Sequence, residues 1–114
     1  MKLPEPLGPY SHFKVFNGMV YTSGQIPADN ILDIKEQTRQ AIENLSNVLK
    51  MAGSGLEYVL KTTCYLKSMD DFGIFNNVYA EYFKNKPARA CVEVARLPKD
   101  VMVEIEAIAY IPEK

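Results

Sequence analysis

The stretch PARACVEVARLPKDVMVEIEAIAYI, residues 87–111, contains two alternating runs separated by turn residues. In its first part, residues 87–94, small apolar side chains alternate with Arg89, Cys91 and Glu93. In its second part, residues 101–111, aliphatic side chains recur at every other position. Alternation with a period of two is typical of strands, so each run predicts a strand with one face in a core and one polar face.

The turn residues between the runs, LPKD at 97–100, predict a hairpin, since proline fixes φ and cannot donate to a strand ladder. Matching the apolar faces sets the register, which places Glu93 opposite Glu104 and Cys91 opposite Glu106. Like charges that face each other are unfavourable in a purely structural sheet. We therefore expect this polar face, which also carries the arginine of the first run, to meet a ligand, water or another subunit.

The rest of the chain supplies two more predicted strands at its start, a third in the middle, and two helices. An extended lead-in at 1–9 precedes a hairpin whose strands, 12–16 and 19–23, flank the turn signal Asn17-Gly18. A capping box at Asp33 starts a long amphipathic helix that Gly53 ends. A strand at 59–67 follows, and then an aromatic-rich helix that starts at Ser68 or Asp70 and ends before Pro87.

The predicted order is β-β-α-β-α-β-β, an α+β fold in one domain, residues 1–114. Two helices cover only one face of such a sheet. The other face carries mixed polar residues, and a domain of 114 residues buries too little surface to leave it in water easily. We therefore expect self-association.

This sequence resembles the RidA family of reactive intermediate deaminases, also described as the YjgF or YER057c-like group. The resemblance rests on PARACVEVARLPKDVMVEIEAIA, on GPYSH near the start, on YTSGQIP at 21–27 and on FNNVYAEYF at 75–83. It implies a chorismate mutase-like fold, with a mixed sheet and two helices on one face. It also implies a homotrimer with sites in the clefts between subunits, and hydrolysis of 2-imino acids.

Arg89 is the first candidate for substrate binding, because a planar guanidinium binds a carboxylate through two charge-assisted hydrogen bonds. The alternative is a structural ion pair with Glu93 or Glu104. Glu104 is the candidate to orient water or to act as general acid and base, and the alternative is a surface glutamate. The resemblance implies that both Arg89 and Glu104 lie in the family's site.

Five further residues are substrate-binding candidates through the resemblance. Four of them also have a simpler interpretation: a surface tyrosine, a bend at a strand end or a locally bonded helix residue. A nucleophilic role for the cysteine is disfavoured, because the only histidine, His12, is not near it in sequence. His12 and the short loop at 27–33 depart from the pattern typical of the family, which leaves the size of the pocket and the preferred substrate open. The five candidates are Tyr10, Ser23, Gly24, Asn76 and Cys91.

Composition excludes several other classes of function. The net charge is −1, the isoelectric point is about 5.8 and no basic run occurs, so we expect no nucleic-acid partner. No apolar stretch approaches a membrane span, and the N-terminus lacks a signal peptide, which predicts a soluble cytoplasmic protein. One histidine and two cysteines predict neither a metal site nor a disulfide framework, and no cofactor is expected.

The activity implied by the resemblance is the hydrolytic deamination of 2-iminobutanoate and 2-iminopropanoate to 2-keto acids and ammonia. The alternative is a non-catalytic trimer that binds small carboxylates or partner proteins as a regulator. A third possibility, ribonuclease activity or inhibition of translation, is disfavoured by the acidic isoelectric point.

Overall fold

The computed structural model describes residues 3–113, which form a five-stranded sheet with two helices on one face. The strands are β1 (Phe13–Phe16), β2 (Met19–Thr22), β3 (Val59–Leu66), β4 (Ala88–Glu93) and β5 (Val103–Tyr110). The helices are α1 (Ile34–Met51) and α2 (Phe72–Tyr82), with 3-10 turns at Leu56–Tyr58, Met69–Asp71 and Pro98–Asp100. The predicted order is confirmed. Residues 1 and 2 of the predicted lead-in lie outside the described residues.

Local signals in the sequence produce the first hairpin and the first helix as predicted. Asn17 and Gly18 both have positive φ, 51° and 75°, which is the conformation of a type I′ turn between two strands. The Asp33 carboxylate caps α1 by accepting a hydrogen bond from the amide of Glu36 at 2.9 Å. Gly53, just past the end of α1, has a φ of 89°.

The predicted hairpin of the last two strands is wrong, because the sheet order is β1-β2-β5-β3-β4. β3 lies between β4 and β5, parallel to β4 and antiparallel to β5. The chain leaves β3 through α2 and returns beside it as β4, which is the usual crossover for parallel strands. Residues 94–102 then carry the chain past β3 to its other side. The 97–100 segment reverses the chain, but it joins strands that are not neighbours.

The predicted register is therefore wrong as well. Glu93 pairs with Leu66 and Cys91 with Cys64, not with the glutamates of β5. In β5, Glu104 pairs with Tyr65. The expected clash of like charges between the last two strands does not arise.

The faces of β4 are also inverted relative to the prediction. Arg89 pairs with Thr62, which is fully buried beneath the helices, so Arg89 and Cys91 face the helices. The alanines of β4 and Val92 point to the open face, where they are exposed. Glu104 lies on that open face too, because its neighbours Val103 and Ile105 are buried in the core. Arg89 and Glu104 thus lie on opposite faces of the sheet in one chain.

The open face carries large apolar side chains among its polar ones. Phe16 is 70% exposed, and Tyr21 and Val92 are 45% and 46% exposed. The prediction of a sheet with one uncovered face is confirmed. None of the described helices is both long and apolar enough to cross a membrane.

Candidate functional site

A cavity of about 850 Å³ lies between the segment that precedes β1, the loop that follows β2, and β5. It brings together four of the residues singled out from the sequence, which we call the Glu104 half-site: Tyr10, Ser23, Gly24 and Glu104. The remaining candidates are elsewhere. Much of the cavity wall is apolar, with Leu3, Leu7, Ile26 and Pro98 among its lining residues.

Gly24 and Glu104 lie in contact at the centre of this half-site. A Cβ atom added to Gly24 would stand 2.1 Å from Oε2 of Glu104, which is far closer than any real contact. Only glycine leaves room for the carboxylate at this point in the loop. The position of the Glu104 carboxylate in the cavity therefore depends on a close backbone approach rather than on an unusual backbone angle.

Burial raises the pKa of the Glu104 carboxyl, and the neighbouring Glu106 raises it further. No hydrogen bond reaches the Glu104 carboxylate from the part of the chain that the structure describes. A carboxyl with a raised pKa and a free pair of oxygens can take a proton from water and return it to a leaving group. That is the behaviour expected of a general acid and base.

Ser23 and Tyr10 are both engaged with the N-terminal segment. The Ser23 hydroxyl donates to the carbonyl of Ser11 at 2.5 Å, and the Ser23 amide donates to the carbonyl of His12 at 2.9 Å. The Tyr10 hydroxyl accepts a hydrogen bond from the Leu7 amide at 3.1 Å. Both side chains line the cavity, and their hydrogen bonds also fix the backbone of the N-terminal segment that forms its wall.

Arg89 defines a second group of residues on the helix face. Its guanidinium carbon lies 4.8 Å from the centre of the Tyr79 ring and about as close to two phenylalanine rings, 5.5 Å from Phe72 and 5.6 Å from Phe75. Such cation–π contacts hold the charge without using its N–H groups. The guanidinium therefore keeps its hydrogen-bonding fork free.

The alternative interpretation of Arg89, a structural ion pair, finds no support within residues 3–113. No carboxylate there lies within 4.0 Å of its guanidinium, whereas Arg39 and Arg96 both have acidic partners. The Glu93 carboxylate accepts a hydrogen bond from the Met69 amide at 2.8 Å instead. An arginine that is held by aromatic rings and lacks an anion is suited to bind one from outside.

Asn76 lies on α2 one turn along from Phe72, on the helix that carries the aromatic rings. Its Oδ1 atom is buried and has no hydrogen-bond partner among the described residues. A buried acceptor without a partner costs free energy, and native proteins tolerate few of them. The Asn76 carbonyl is thus placed to accept a hydrogen bond from a bound molecule.

Cys91 is half-buried beside Cys64, its paired residue on β3. Burial raises the pKa of the Cys91 thiol, although the positive charge of Arg89 opposes the shift. Burial also raises the pKa of the Cys64 thiol to about 12. Since the thiolate is the reactive form, both cysteines are poor nucleophiles. We call Arg89, Cys91, Asn76 and the three aromatic residues around Arg89 the Arg89 half-site.

The prediction that Arg89 and Glu104 share one polar face is wrong, since the two half-sites lie on opposite faces of the sheet. Sequence reasoning also missed the aromatic rings that hold Arg89. Their spacing at 72, 75 and 79 was visible, but it predicts a core-facing helix stripe equally well. Arg89, which the sequence predicts on the strand after that helix, was the observation that could have distinguished an aromatic stripe that holds a cation from one that only packs in the core.

Comparisons with known proteins agree on one class. The sequence model of the family described as endoribonuclease L-PSP matches residues 1–111. A RutC family protein of Pyrococcus horikoshii is 54% identical, over 94% of this chain and 90% of that protein. A Salmonella typhimurium protein named 2-iminobutanoate/2-iminopropanoate deaminase is 44% identical, over 93% of this chain and 90% of that protein.

Solved structures give the same result. The crystal structure of E. coli TdcF with bound serine matches 95% of this chain and 92% of that chain, with a TM-score of 0.89 and 38% identity. Fold and sequence thus define a class of small α+β proteins that carry the names YjgF, RutC and endoribonuclease L-PSP. This chain belongs to the RidA (YjgF) family.

Proposed function

We propose that this protein hydrolyses reactive 2-imino acids, such as 2-iminobutanoate and 2-iminopropanoate, to 2-keto acids and ammonia. The observation that carries the proposal is the free guanidinium of Arg89, held by three aromatic rings without an anionic partner in residues 3–113. A 2-imino acid offers the carboxylate that such a group binds. The relative named as a deaminase supports the same reaction.

We further propose that the two half-sites meet between subunits of a homotrimer. A single chain holds Arg89 and Glu104 on opposite faces of its sheet, so one chain alone cannot present both to one small substrate. The open face bears exposed apolar side chains, Phe16 and Val92 among them, which a second copy would cover. Each complete site would then take Arg89 from one subunit and Glu104 from its neighbour.

In the proposed reaction, Arg89 holds the substrate carboxylate and the Asn76 carbonyl accepts a hydrogen bond from the substrate. Water attacks the carbon of the protonated imine, and the Glu104 carboxylate takes the proton that the water loses. The product is a tetrahedral intermediate that carries hydroxyl and amino groups on one carbon. Glu104 returns the proton to the amino nitrogen and the C–N bond breaks. The departing ammonia takes the hydroxyl proton as the oxygen forms the keto group, so that nitrogen leaves as ammonium. The substrate is already electrophilic, so positioning supplies much of the acceleration.

The test is to generate imines with an amino acid oxidase and to follow the release of 2-keto acid with and without the protein. We expect Arg89→Ala to lower kcat/KM about a hundredfold or more, because it removes both charge and hydrogen bonds from a carboxylate. Arg89→Lys is the matched control, since it keeps the charge and loses the planar fork, and we expect an intermediate rate. Equal rates for wild type and Arg89→Ala would overturn the proposal.

The same preparations decide between the enzyme and the non-catalytic alternative. A regulator would bind 2-keto acids in a manner that depends on Arg89 and would show no imine hydrolysis in the wild type. A cytoplasmic location and the absence of a nucleic-acid partner remain predictions. Cell fractionation tests the first, and titration with RNA at two salt concentrations tests the second.

A further inference from the structure

Residues 3–12, which we call the N-terminal strap, form the outer wall of the cavity beside Glu104. The strap contains three prolines and has no strand or helix of its own. Its contribution to the cavity includes the apolar side chains of Leu3, Pro4 and Leu7, and Glu5, Tyr10 and His12 also line the cavity. A segment of this kind keeps a fixed shape only if side chains fasten it to the sheet.

His12 connects the strap to the floor of the cavity through both of its ring nitrogens. Nε2 contacts the carbonyl of Pro4 within hydrogen-bond distance, and Nδ1 lies 3.3 Å from Nε2 of Gln25. Gln25 is only 3% exposed, and its backbone exchanges two hydrogen bonds with Ile105, at 2.8 and 3.0 Å. Gln25 therefore belongs to the rigid sheet, next to the Gly24–Glu104 contact.

The hydrogen bonds fix the tautomer of the imidazole. The amide nitrogen of Gln25 also lies 3.3 Å from the Ser23 carbonyl, which can only accept, so the NH₂ group points towards both Ser23 and His12. Nδ1 of His12 must then accept. The ring proton consequently sits on Nε2 and is donated to the Pro4 carbonyl.

We propose that His12 is a positioning residue that latches the strap in place and so determines which 2-imino acid side chains fit the site. The substrate half of this inference rests on the proposed function. Because the strap presents leucine and proline side chains, its contact is with the apolar side chain of the substrate and not with the reacting carbon. Substrates with long apolar side chains depend on the latch, and the shortest substrates do not.

Four variants of the protein isolate the latch. His12→Ala removes the ring, and His12→Phe keeps a ring of similar size but loses both hydrogen bonds. His12→Gln keeps one donor and one acceptor and is the rescue variant. Ser11→Ala is the matched control, because the Ser11 hydroxyl makes no hydrogen bond within the described chain and only its carbonyl is used.

The first measurement is amide hydrogen exchange of the peptide that covers the strap, which needs no substrate. Loss of two hydrogen bonds should speed its exchange about fivefold or more in His12→Ala and His12→Phe. Exchange in β5 should stay unchanged. His12→Gln and Ser11→Ala should remain within about twofold of wild type. Wild-type exchange of the strap in His12→Phe would overturn the latch, as would equal acceleration in β5.

The second measurement compares KM for the imine made from leucine with KM for the imine made from alanine. In His12→Phe we expect KM for the leucine-derived imine to rise about fivefold, with kcat unchanged and KM for the alanine-derived imine unaffected. Equal changes for both imines would overturn the assignment of specificity. A wild-type protein that hydrolyses neither imine overturns the proposed function and this substrate assignment, while the exchange measurement still decides the latch.

Discussion

The Glu104 half-site and the Arg89 half-site are built in opposite ways. Around Glu104, the polar side chains of Ser23 and His12 are hydrogen-bonded to other groups of the protein. The Glu104 carboxylate has no such partner among the described residues. The neighbours of Arg89 are aromatic rings, and its guanidinium has no anionic partner among the described residues. The first half-site is formed by the segment before β1, the loop after β2 and strand β5, and the second by helix α2 and the edge strand β4.

This difference bears on the proposal that the two half-sites complete each other between subunits. Each presents a single charge without a partner in residues 3–113, and the two charges have opposite sign. If the two groups lay together without a ligand, they would form an ion pair with each other. With a 2-imino acid between them, Arg89 would bind its carboxylate and Glu104 would hold the attacking water. The separation of the two charges within one chain keeps both available. The following predictions test that arrangement.

Glu104→Gln should have the largest effect on activity. It keeps the size of the side chain and removes its ability to carry a proton, so we expect kcat/KM to fall about a hundredfold to ten-thousandfold. Steady-state hydrolysis of the alanine-derived imine measures this. Glu106→Gln on the same strand is the control, since the Glu106 carboxylate accepts from Tyr65 and lies outside the cavity. A Glu104→Gln variant as active as wild type would remove Glu104 from the reaction.

The same variant should be more stable than wild type near neutral pH. The pKa of Glu104 is raised in the folded protein, so the folded state favours the neutral form. The resulting stabilisation is present below the ordinary carboxyl pKa and is lost as the pH rises through the raised value. Glutamine stays neutral at every pH. The Tm of Glu104→Gln should therefore exceed that of wild type at pH values above the ordinary pKa of a carboxyl group. Thermal melts of both proteins between acidic and neutral pH measure it.

Mixing two inactive variants should restore activity if the half-sites meet between subunits. In trimers assembled at random from Arg89→Ala and Glu104→Gln chains, one interface in four combines an intact Arg89 with an intact Glu104. We expect about a quarter of the wild-type rate after the two chains are refolded together. Each variant refolded alone is the control. A mixture no more active than its components would show that both residues must come from one chain.

Asn76→Leu should weaken binding and strengthen the fold. The buried Oδ1 has no partner within the described chain, so an apolar side chain of similar shape removes a desolvated acceptor and should raise Tm. The lost hydrogen bond to substrate should raise KM about tenfold. The neighbouring exposed Asn77 gives the control Asn77→Leu, for which we expect an unchanged KM. A KM that is unaffected in Asn76→Leu would exclude this carbonyl from the site.

Local features of the fold could be predicted because the residues that determine them are close in sequence. The Asn17-Gly18 turn and the Asp33 cap each depend on a few neighbouring positions. The order of strands depends on distant pairing, and adjacency in sequence wrongly indicated that β4 pairs with β5. The eight residues of β3 provide a longer partner for β5 than β4 does. Nothing within residues 87–111 contains that information.

Candidate site residues could be selected from the sequence, but their arrangement in space could not. The motif resemblance selected Arg89 and Glu104. The alternation of side chains placed both on one polar face, because it was assumed that a cation does not face the helices, and that assumption is wrong. The aromatic rings of α2 make that side acceptable to Arg89. The latch proposed for His12 could not be predicted from the sequence either, because it depends on Gln25 and Pro4, which meet only in the folded chain.

Cys91→Ser should have the smallest effect and distinguishes hydrolysis by water from covalent catalysis. Burial keeps the Cys91 thiol protonated, so a nucleophilic role is disfavoured and a hydroxyl of similar size can line the Arg89 half-site as well. We expect kcat/KM to change less than about threefold, since neither charge nor the strand ladder is altered. Hydrolysis of the alanine-derived imine measures this, with Cys64→Ser as a control for a buried thiol outside the site. Complete loss of activity in Cys91→Ser alone would contradict this expectation, and mass spectrometry of the protein during turnover would then test for a covalent adduct on the Cys91 sulfur.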